Sequence, residues 1–594
     1  MRLSGRKPLM QYAFDNLSFC DFLAVIGIHD MHDSGAALAE AGVPVSAINE
    51  ERFTKKKNDV GFPMSSVRFI AGIEGYEIDK VAVPWIGGSA LISRLFPGFE
   101  RKRRMLWRHE CRKPGALNMR LRNIAFKLIQ DQHPRAVWKA AGEGIGGRII
   151  RKRLMNEGIG KDIVFVEHHL AHAAGAYFGS GFGEALIVTL DGAGDGLSGT
   201  VSIGDNGSIE RICSFNASAS LGILYGAATL ACDFRYGEDE GKLMSLAAYS
   251  YPTEIEELND IARYDPASDS LRSASGAKYE FLLAEKIRSR YLWKYGREAV
   301  AYAVQKHLEE QVMGIVRKHI KETKIHNLAV AGGVFSNIKL NMAIDGMPEV
   351  KDFFVFPHMG DGGLALGAAY YVDFQEMGKL EGRQLENICF GPSYGNGEIE
   401  NVLKKSGRHI SYHKVDGIER HVAELIVEKN RIVLWFQGNM EYGPRALGSR
   451  SVLAYPGDEA NRDRINSIIK KRPYFQPFAS SILHEDAGKV LSPYRRPNRF
   501  MTVGYVVDEH HRKDLAAAMH IDSTTRPQVV TETSGRYYNL LKHVKRLSGV
   551  GALLNTSLNK HGYPIVMTPE DAVWTLLNTG ADTLAIGDYI VEKR

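Results

Sequence analysis

Two histidines offer this chain its first chemistry. His168 and His172 stand four residues apart in HHLAHA, so on a helix they share one face and can close on a single metal ion. By itself the spacing arises by chance, or as a surface pair, more often than as a ligand pair. Asp191, in TLDGAGDG, and Asp361, in PHMGDGG, each end an apolar strand beside glycines, where backbone can approach an ion or a phosphate closely. Either one singly reads as an ordinary Asp-Gly turn. Together with the histidines they form an imidazole and carboxylate set suited to a divalent metal ion such as iron, manganese, zinc or magnesium.

Phosphate handling is a second theme. DGAGDG, AGGVFSN and MGDGG are three glycine turns that follow strands, and Gly192, Gly194, Gly332, Gly333, Asn337 and Gly360 within them can offer N–H groups to phosphate oxygens. None is a P-loop, because GxxxxGK[ST] is missing. A third theme lies further on, where YGPRALGSRSVL, IIKKRPYFQPFAS, STTRPQ and LNTSLN gather Arg, Lys, Ser and Asn near turns. Arginine forks grip oxyanions in bidentate fashion, each charged hydrogen bond contributing about 1.5–3 kcal/mol, so these segments point to an anionic ligand. Scattered surface arginines would fit poorly with their proline and apolar flanks.

The elements that must position these residues can be read from periodicity. FLAVIGIHDMHDSGAALAEAGVPVSAINEERF, from Phe22, reads as three strands, the second and third joined by a Gly-Val-Pro turn. A comparable pattern returns after Ile163, which suggests duplicated lobes. AVAYAVQKHLEEQVMGIVRKHIKETKIH, from Ala299, is helical and leads into the buried strand and glycine turn NLAVAGGVFSN. Strand, glycine turn and helix alternate throughout, so the class is α/β. The polar, glycine-punctuated GKLEGRQLENICFG marks the main boundary, giving domains over 1–380 and 381–594. The second domain is expected to open with the helix IERHVAELIVEKN and the strand RIVLWFQG.

Bulk properties agree with a globular enzyme. A chain of 594 residues exceeds one hydrophobic core, and 44% hydrophobic with 24% charged residues excludes disorder. The five cysteines, Cys20, Cys111, Cys213, Cys232 and Cys389, are scattered singly, as reduced cytosolic thiols would be. Neither a leader peptide nor a run of eighteen apolar residues is found, which predicts a cytoplasmic protein with no transmembrane segment. The net charge of +6 is modest and does not suggest nucleic acid. Its basic stretch from Arg94 to Arg153 reads first as a solvated helical face, and otherwise as a contact for an anionic acceptor, a membrane surface or a partner protein.

These segments, in order, resemble the NodU/CmcH-type O-carbamoyltransferases from about Phe22 to the end of the chain. HDSGAAL, EERF, HHLAHAA, LDGAGDG, SLGILYGAAT, EGKLMSLAAY, GGVFSN, GDGGLALGAA, GPRALGSRS, RPQVV and LNTSLNKHGYPIV carry the likeness. The resemblance implies an N-terminal actin-like ATPase domain, of the type shared with threonylcarbamoyl transferases, followed by a C-terminal YrdC-like α/β domain. It implies ATP and carbamoyl phosphate as co-substrates, a carbamoyl adenylate made in the second domain, and transfer to a hydroxyl of a small-molecule or glycan acceptor at the metal site. By the same likeness His168, His172, Asp191 and Asp361 hold the metal, while Arg445, Lys470, Arg472, Arg526, Asn555, Ser557 and Asn559 form the oxyanion and adenylate pocket. His32, in MHDSG, matches a histidine proposed to deprotonate the acceptor, a role an imidazole suits near neutral pH. Its other reading is a turn histidine with a packing role.

The chain departs from the family in three places. Gln476 stands where Arg is common, Ser480 where a proline is common, and AAYS replaces an Ala-Pro-Tyr-Gly after EGKLM. Two rival classes remain, a sugar or acetate kinase of the actin-like fold and a tRNA-modifying threonylcarbamoyl-type transferase. The kinase would have no use for the arginine-rich second domain. The tRNA enzyme would bind through the basic stretch and lose affinity with salt. The acceptor's identity is not written in the sequence, which also leaves room for a homodimer.

Overall fold

The computed structural model describes residues 23–86, 88–96, 98, 140–275, 280–378 and 383–594. Most of the basic stretch lies outside them. Two compact units emerge: one comprises Leu23–Glu50 and Asp59–Leu385, and the other contains Glu51–Asn58 and Glu386–Arg594.

In the first unit the apolar run AVIGIH forms β1 (Ala24–His29), buried along its length as a central strand must be. It pairs antiparallel with β2 (Gly35–Glu40), which pairs antiparallel with β3 (Val43–Asn49). On its other side it runs parallel to β4 (Lys80–Pro84), and β4 runs parallel to β5 (Asp162–Val166). The order is therefore β3-β2-β1-β4-β5. A second sheet repeats the plan with β6 (Glu184–Gly194), β7 (Leu197–Asp205) and β8 (Ser208–Asn216) as its antiparallel meander. A small hairpin, β9 (Arg263–Asp265) with β10 (Ser270–Arg272), follows. Then β11 (Asn327–Ala331) and β12 (Asp352–Val355) add in parallel, giving β12-β11-β6-β7-β8. Both sheets thus share one order and one set of strand directions.

Two sequence expectations shift here. The second lobe starts at β6, because the strand after Ile163 closes the first sheet as β5. The turn before β3 is Ala41–Gly42, both with positive φ, rather than Gly-Val-Pro. Pro44 instead lies within β3, an edge strand whose register shifts opposite Leu38 and Ala39, where a missing N–H is tolerated.

Two helices fill the space between these sheets. Helix Leu364–Met377 covers β1, β2 and β4, helix His168–Ser180 covers β6 and β11, and the two pack on each other. A Cβ on Gly367 would lie 2.1 Å from the Ala171 carbonyl oxygen, so the helices approach backbone to backbone there, and the Phe178 and Phe374 rings stack 3.6 Å apart. This buried layer fixes the His168 end of one helix and the Asp361 turn that opens the other.

The second unit is built on an eight-stranded sheet, β13-β23-β22-β14-β15-β21-β16-β20. Its strands are β13 (Ile410–Lys414), β14 (Val433–Phe436), β15 (Arg450–Ala454), β16 (Ala479–Leu483), β20 (Pro527–Val530), β21 (Ala552–Ser557), β22 (Thr583–Ile586) and β23 (Tyr589–Lys593). Between them in sequence, β17 (Leu491–Ser492), β18 (Tyr505–Val507) and β19 (Thr524–Thr525) form a short side sheet. Helices Ile418–Val427 and Arg536–Ser548 pack together and contribute to one apolar cluster, and helices Asn396–Ser406 and Pro569–Leu577 contribute to another. The unit does not open with the Ile418 helix, since helix Asn396–Ser406 and β13 precede it. No helix among the described residues is long and apolar enough to cross a membrane.

Candidate metal centre and oxyanion pocket

His168 is the first residue of its helix, capped by Glu167, whose side chain accepts from Leu170 N–H at 2.9 Å. One turn later His172 projects from the same face, both rings buried. Asp191 sits on β6 where the register breaks between Leu190 and Gly194, so the strand bends and aims a carboxylate at the helix. Asp361 opens the short turn Asp361–Gly363 that leads into helix Leu364–Met377.

The four side chains converge, each offering one ligand atom within 4.8 Å of the others. His172 Nε2 lies 3.4 Å from Asp191 Oδ2 and 3.5 Å from Asp361 Oδ1, while His168 Nε2 lies 3.4 and 3.8 Å from the same oxygens. His172 Nε2 is buried yet has no partner in hydrogen-bond geometry. Burial works against charge on His172, but the Asp191 and Asp361 carboxylates outweigh it and raise the group to about 9. A positive charge is therefore favoured between these carboxylates. The donor set fits one divalent ion of borderline or hard character.

His32 borders this centre. Its Nε2 is 3.0 Å from Asp361 Oδ2 and its Nδ1 is 3.2 Å from Asp33 Oδ2. The His32 carbonyl accepts from His29 Nε2 at 2.7 Å, and burial lowers His29 to about 4, so that ring is a neutral prop. Trp85, held at φ 81, lies edge-on to His168 with ring centroids 4.5 Å apart. A non-glycine residue at positive φ is strained, and here the strain turns an indole against the centre.

Of the expected phosphate turns, Gly192, Gly194, Gly332 and Gly333 gather around the end of β6. A Cβ on Gly194 would lie 2.1 Å from the His168 ring, and Gly332, at φ 104, lies so close to Leu190 that its Cβ would meet that carbonyl oxygen at 2.1 Å. Both positions therefore demand glycine. Gly360 precedes Asp361 in open space. Asn337 caps helix Ile338–Asp345, accepting from Lys339 and Leu340 N–H, and donates to Gln305 Oε1 at 2.8 Å. It belongs to a buried network with Gln305, Glu309 and Tyr225.

In the second unit Arg445, Arg472 and Arg526 are half-buried and near one another. Burial lowers all three, Arg445 and Arg472 to about 10 and Arg526 further, and mutual repulsion adds to it for Arg472 and Arg526. Among the described residues no carboxylate pairs with them. Lys470 donates to Ser557 Oγ at 3.1 Å and Asn559 Oδ1 at 2.6 Å, so these three also stand together. Burial, then Arg472, holds Lys470 well below its ordinary range. Asn555 differs: its amide donates to Ala446 O at 3.3 Å and Ser481 Oγ at 3.0 Å, which ties β21 to the loop carrying Arg445. Gln476 Oε1 is buried without a partner, and Ser480 pairs with Thr525 at 3.0 Å.

Sequence reasoning missed the supports of both sites. Asp195 accepts from His168 N–H at 3.0 Å and from Ile86 N–H at 3.1 Å, pinning the helix start. Glu441 Oε1 accepts from the N–H groups of Leu447, Ser449 and Arg450 at 2.8, 2.7 and 3.1 Å, which shapes the GPRALGSR loop. Arg450, fully buried, donates to the carbonyls of Gln437, Gly438 and Pro392 with its guanidinium 3.6 Å from the Phe436 ring centre. It braces the loop and is taken up by carbonyls, unlike the three arginines above. Only the DGAGDG acid repeat and the YGPRALG acidic flank hinted at these roles.

Comparison with known proteins assigns the family. Residues 24–370 match the family model described as carbamoyltransferase N-terminus, and residues 423–593 match carbamoyltransferase C-terminus. Nodulation protein NolNO of Sinorhizobium fredii is 32% identical over 581 residues, covering 95% of this chain and 79% of that protein. The 3'-hydroxymethylcephem-O-carbamoyltransferase of Amycolatopsis lactamdurans is 26% identical over 358 residues, covering 59% and 64%. Among solved structures, full-length HypF in its phosphate- and nucleotide-bound form is similar over 59% of this chain and 55% of that one, with TM-score 0.35 and 12% identity. With both family models matched in order along one α/β chain, the protein belongs to the carbamoyltransferase family and is a carbamoyl-transferring enzyme.

Proposed function

We propose that this chain is an ATP-dependent O-carbamoyltransferase that makes a carbamoyl adenylate in its C-terminal unit and transfers the carbamoyl group to an acceptor hydroxyl beside His32 in its N-terminal unit. The observation that carries the first half is the trio Arg445, Arg472 and Arg526, half-buried together with no carboxylate among the described residues to balance them. Such a cluster is costly without an anion and tight with one. Carbamoyl phosphate, ATP and water would become carbamoyl adenylate, phosphate and pyrophosphate, with the arginine forks holding the phosphoryl oxygens. On this reading the C-terminal unit is YrdC-like and the paired sheets of the N-terminal unit are actin-like.

In the transfer half, the acceptor oxygen attacks the carbamoyl carbon, the bond to AMP breaks, and the hydroxyl proton passes to His32. Asp361 accepts from His32 Nε2, which leaves Nδ1, beside the more exposed Asp33, to take the proton. A divalent ion held by His168, His172, Asp191 and Asp361 would supply Lewis-acid polarisation when bound. The acceptor is a hydroxyl of a small molecule or glycan, a reading supported by the hydroxymethylcephem named for one relative. The test is the nucleotide product. With ATP, carbamoyl phosphate and a divalent ion, AMP and pyrophosphate are expected; ADP as the carbamoyl phosphate-dependent product would instead support a kinase.

A further inference from the structure

Strand β8, the tip of the β9–β10 hairpin and helix Arg297–Thr323 bring together a second group of metal-ligating side chains in the first unit. Cys213, Asp269 and His319 each offer one ligand atom, all within 4.8 Å of one another. They come from three elements separated by as many as 106 positions in sequence, so only tertiary packing unites them. We propose that Cys213, Asp269 and His319 form a second metal site, taking a zinc-like divalent ion through thiolate, carboxylate and imidazole, and clipping β8 and the hairpin to the long helix.

The orientation of His319 is the main support. Its Nδ1 is 2.9 Å from the Ile315 carbonyl, which can only accept, so Nδ1 carries a proton. That leaves Nε2 directed at Asp269 Oδ2, 3.2 Å away. The His319 side chain is 1% exposed and Nε2 makes no hydrogen bond of acceptable geometry. A carbonyl on the far nitrogen is also the arrangement that orients metal-ligating histidines. Asp269 is held in turn: Tyr264 Oη donates to its Oδ1 at 2.6 Å, leaving Oδ2 for the cluster.

Ligands of one tetrahedral zinc ion stand roughly 3.3–3.8 Å apart; His319 Nε2 and Asp269 Oδ2 are already about that close at 3.2 Å, and Cys213 Sγ lies within 4.8 Å of its partners. Sulfur, imidazole and carboxylate together favour zinc over magnesium or calcium. Lys318 Nζ also approaches Asp269 Oδ2, at 3.4 Å, but its closer partner is Glu322 at 2.8 Å. An ion can therefore take the oxygen without stranding the lysine. A cysteine nucleophile is the competing use of these residues. Burial and the Asp269 carboxylate push the Cys213 thiol up to about 12, and His319 turns Nδ1 to its own helix rather than to an acid, so neither partner activates the other.

Cobalt distinguishes this site from the four-ligand centre, which has no sulfur. Full-length protein stripped by chelator and given Co(II) alone is expected to show a near-ultraviolet thiolate-to-cobalt charge-transfer band. His168→Ala should retain it. Cys213→Ser should abolish it, and His319→Ala should weaken Co(II) binding at this site about tenfold or more. No band in the parent protein, or a band that survives in Cys213→Ser, overturns the proposal. Should the variants not fold, iodoacetamide labelling of the parent decides: Zn(II) must protect Cys213, as read by peptide mass, and equal labelling with and without Zn(II) counts against the site.

Discussion

His32 Nε2 and Asp361 Oδ2 are 3.0 Å apart, so the residue proposed to move a proton leans on one proposed to hold the metal. Asp361 shares itself between them: Oδ2 faces His32 while Oδ1 faces His168 and His172. His32→Gln should therefore leave metal content unchanged while lowering acceptor carbamoylation about 10²- to 10⁴-fold, the usual worth of a general base. Asp361→Asn should lower both. Metal analysis beside a carbamoylation assay separates the cases, and full activity in His32→Gln would leave the histidine a packing role.

Gly194→Ala tests the centre from below. Its Cβ would overlap the His168 ring at 2.1 Å, so the ring must move and the ligand set must open. Bound metal should fall severalfold while the C-terminal unit's chemistry is unaffected. Unchanged metal affinity would mean that His168 is not a ligand.

Arg526→Lys keeps a charge and loses the planar fork. Adenylate formation should fall roughly tenfold to hundredfold, on the order of 1.4–2.7 kcal/mol. With Gln476 uncharged, the arginines must supply more of the stabilisation of a phosphoryl group. A lysine variant equal to the parent in rate and half-saturation for carbamoyl phosphate would move the anion site to Arg445 and Arg472.

Glu441→Ala removes the acceptor shared by three buried N–H groups of the GPRALGSR loop. An unsatisfied buried donor costs about 1–3 kcal/mol, so thermal denaturation should show a clear loss of stability. Carbamoyl phosphate-dependent adenylation should fall too, since Arg445 rides on that loop. A stable and fully active variant would show that the loop is held by Arg450 instead.

What the sequence revealed and hid follows from range. The four-residue spacing of His168 and His172, and the Asp-Gly strand ends at Asp191 and Asp361, are local patterns, so their convergence could be anticipated. Strand and helix alternation likewise exposed the α/β class. The supports are different in kind. Asp195, Glu441 and Trp85 act through backbone groups or strained φ angles, of which the sequence carries at most the acidic residue beside a glycine turn, and Cys213, Asp269 and His319 meet only because β8, a hairpin tip and a helix pack together. The start of the second lobe was misplaced for a related reason: β5 and β6 are both apolar strands, and only pairing tells which sheet each joins.

The central claim is that adenylation and transfer use separate residues. It is tested most directly by carbamoyl phosphate-dependent exchange of labelled pyrophosphate into ATP, which needs no acceptor. His168→Ala is expected to retain the exchange within about twofold of the parent, whereas Arg526→Lys should lose roughly tenfold or more. Exchange lost equally in both folded variants would contradict the account and place both half-reactions in one composite site.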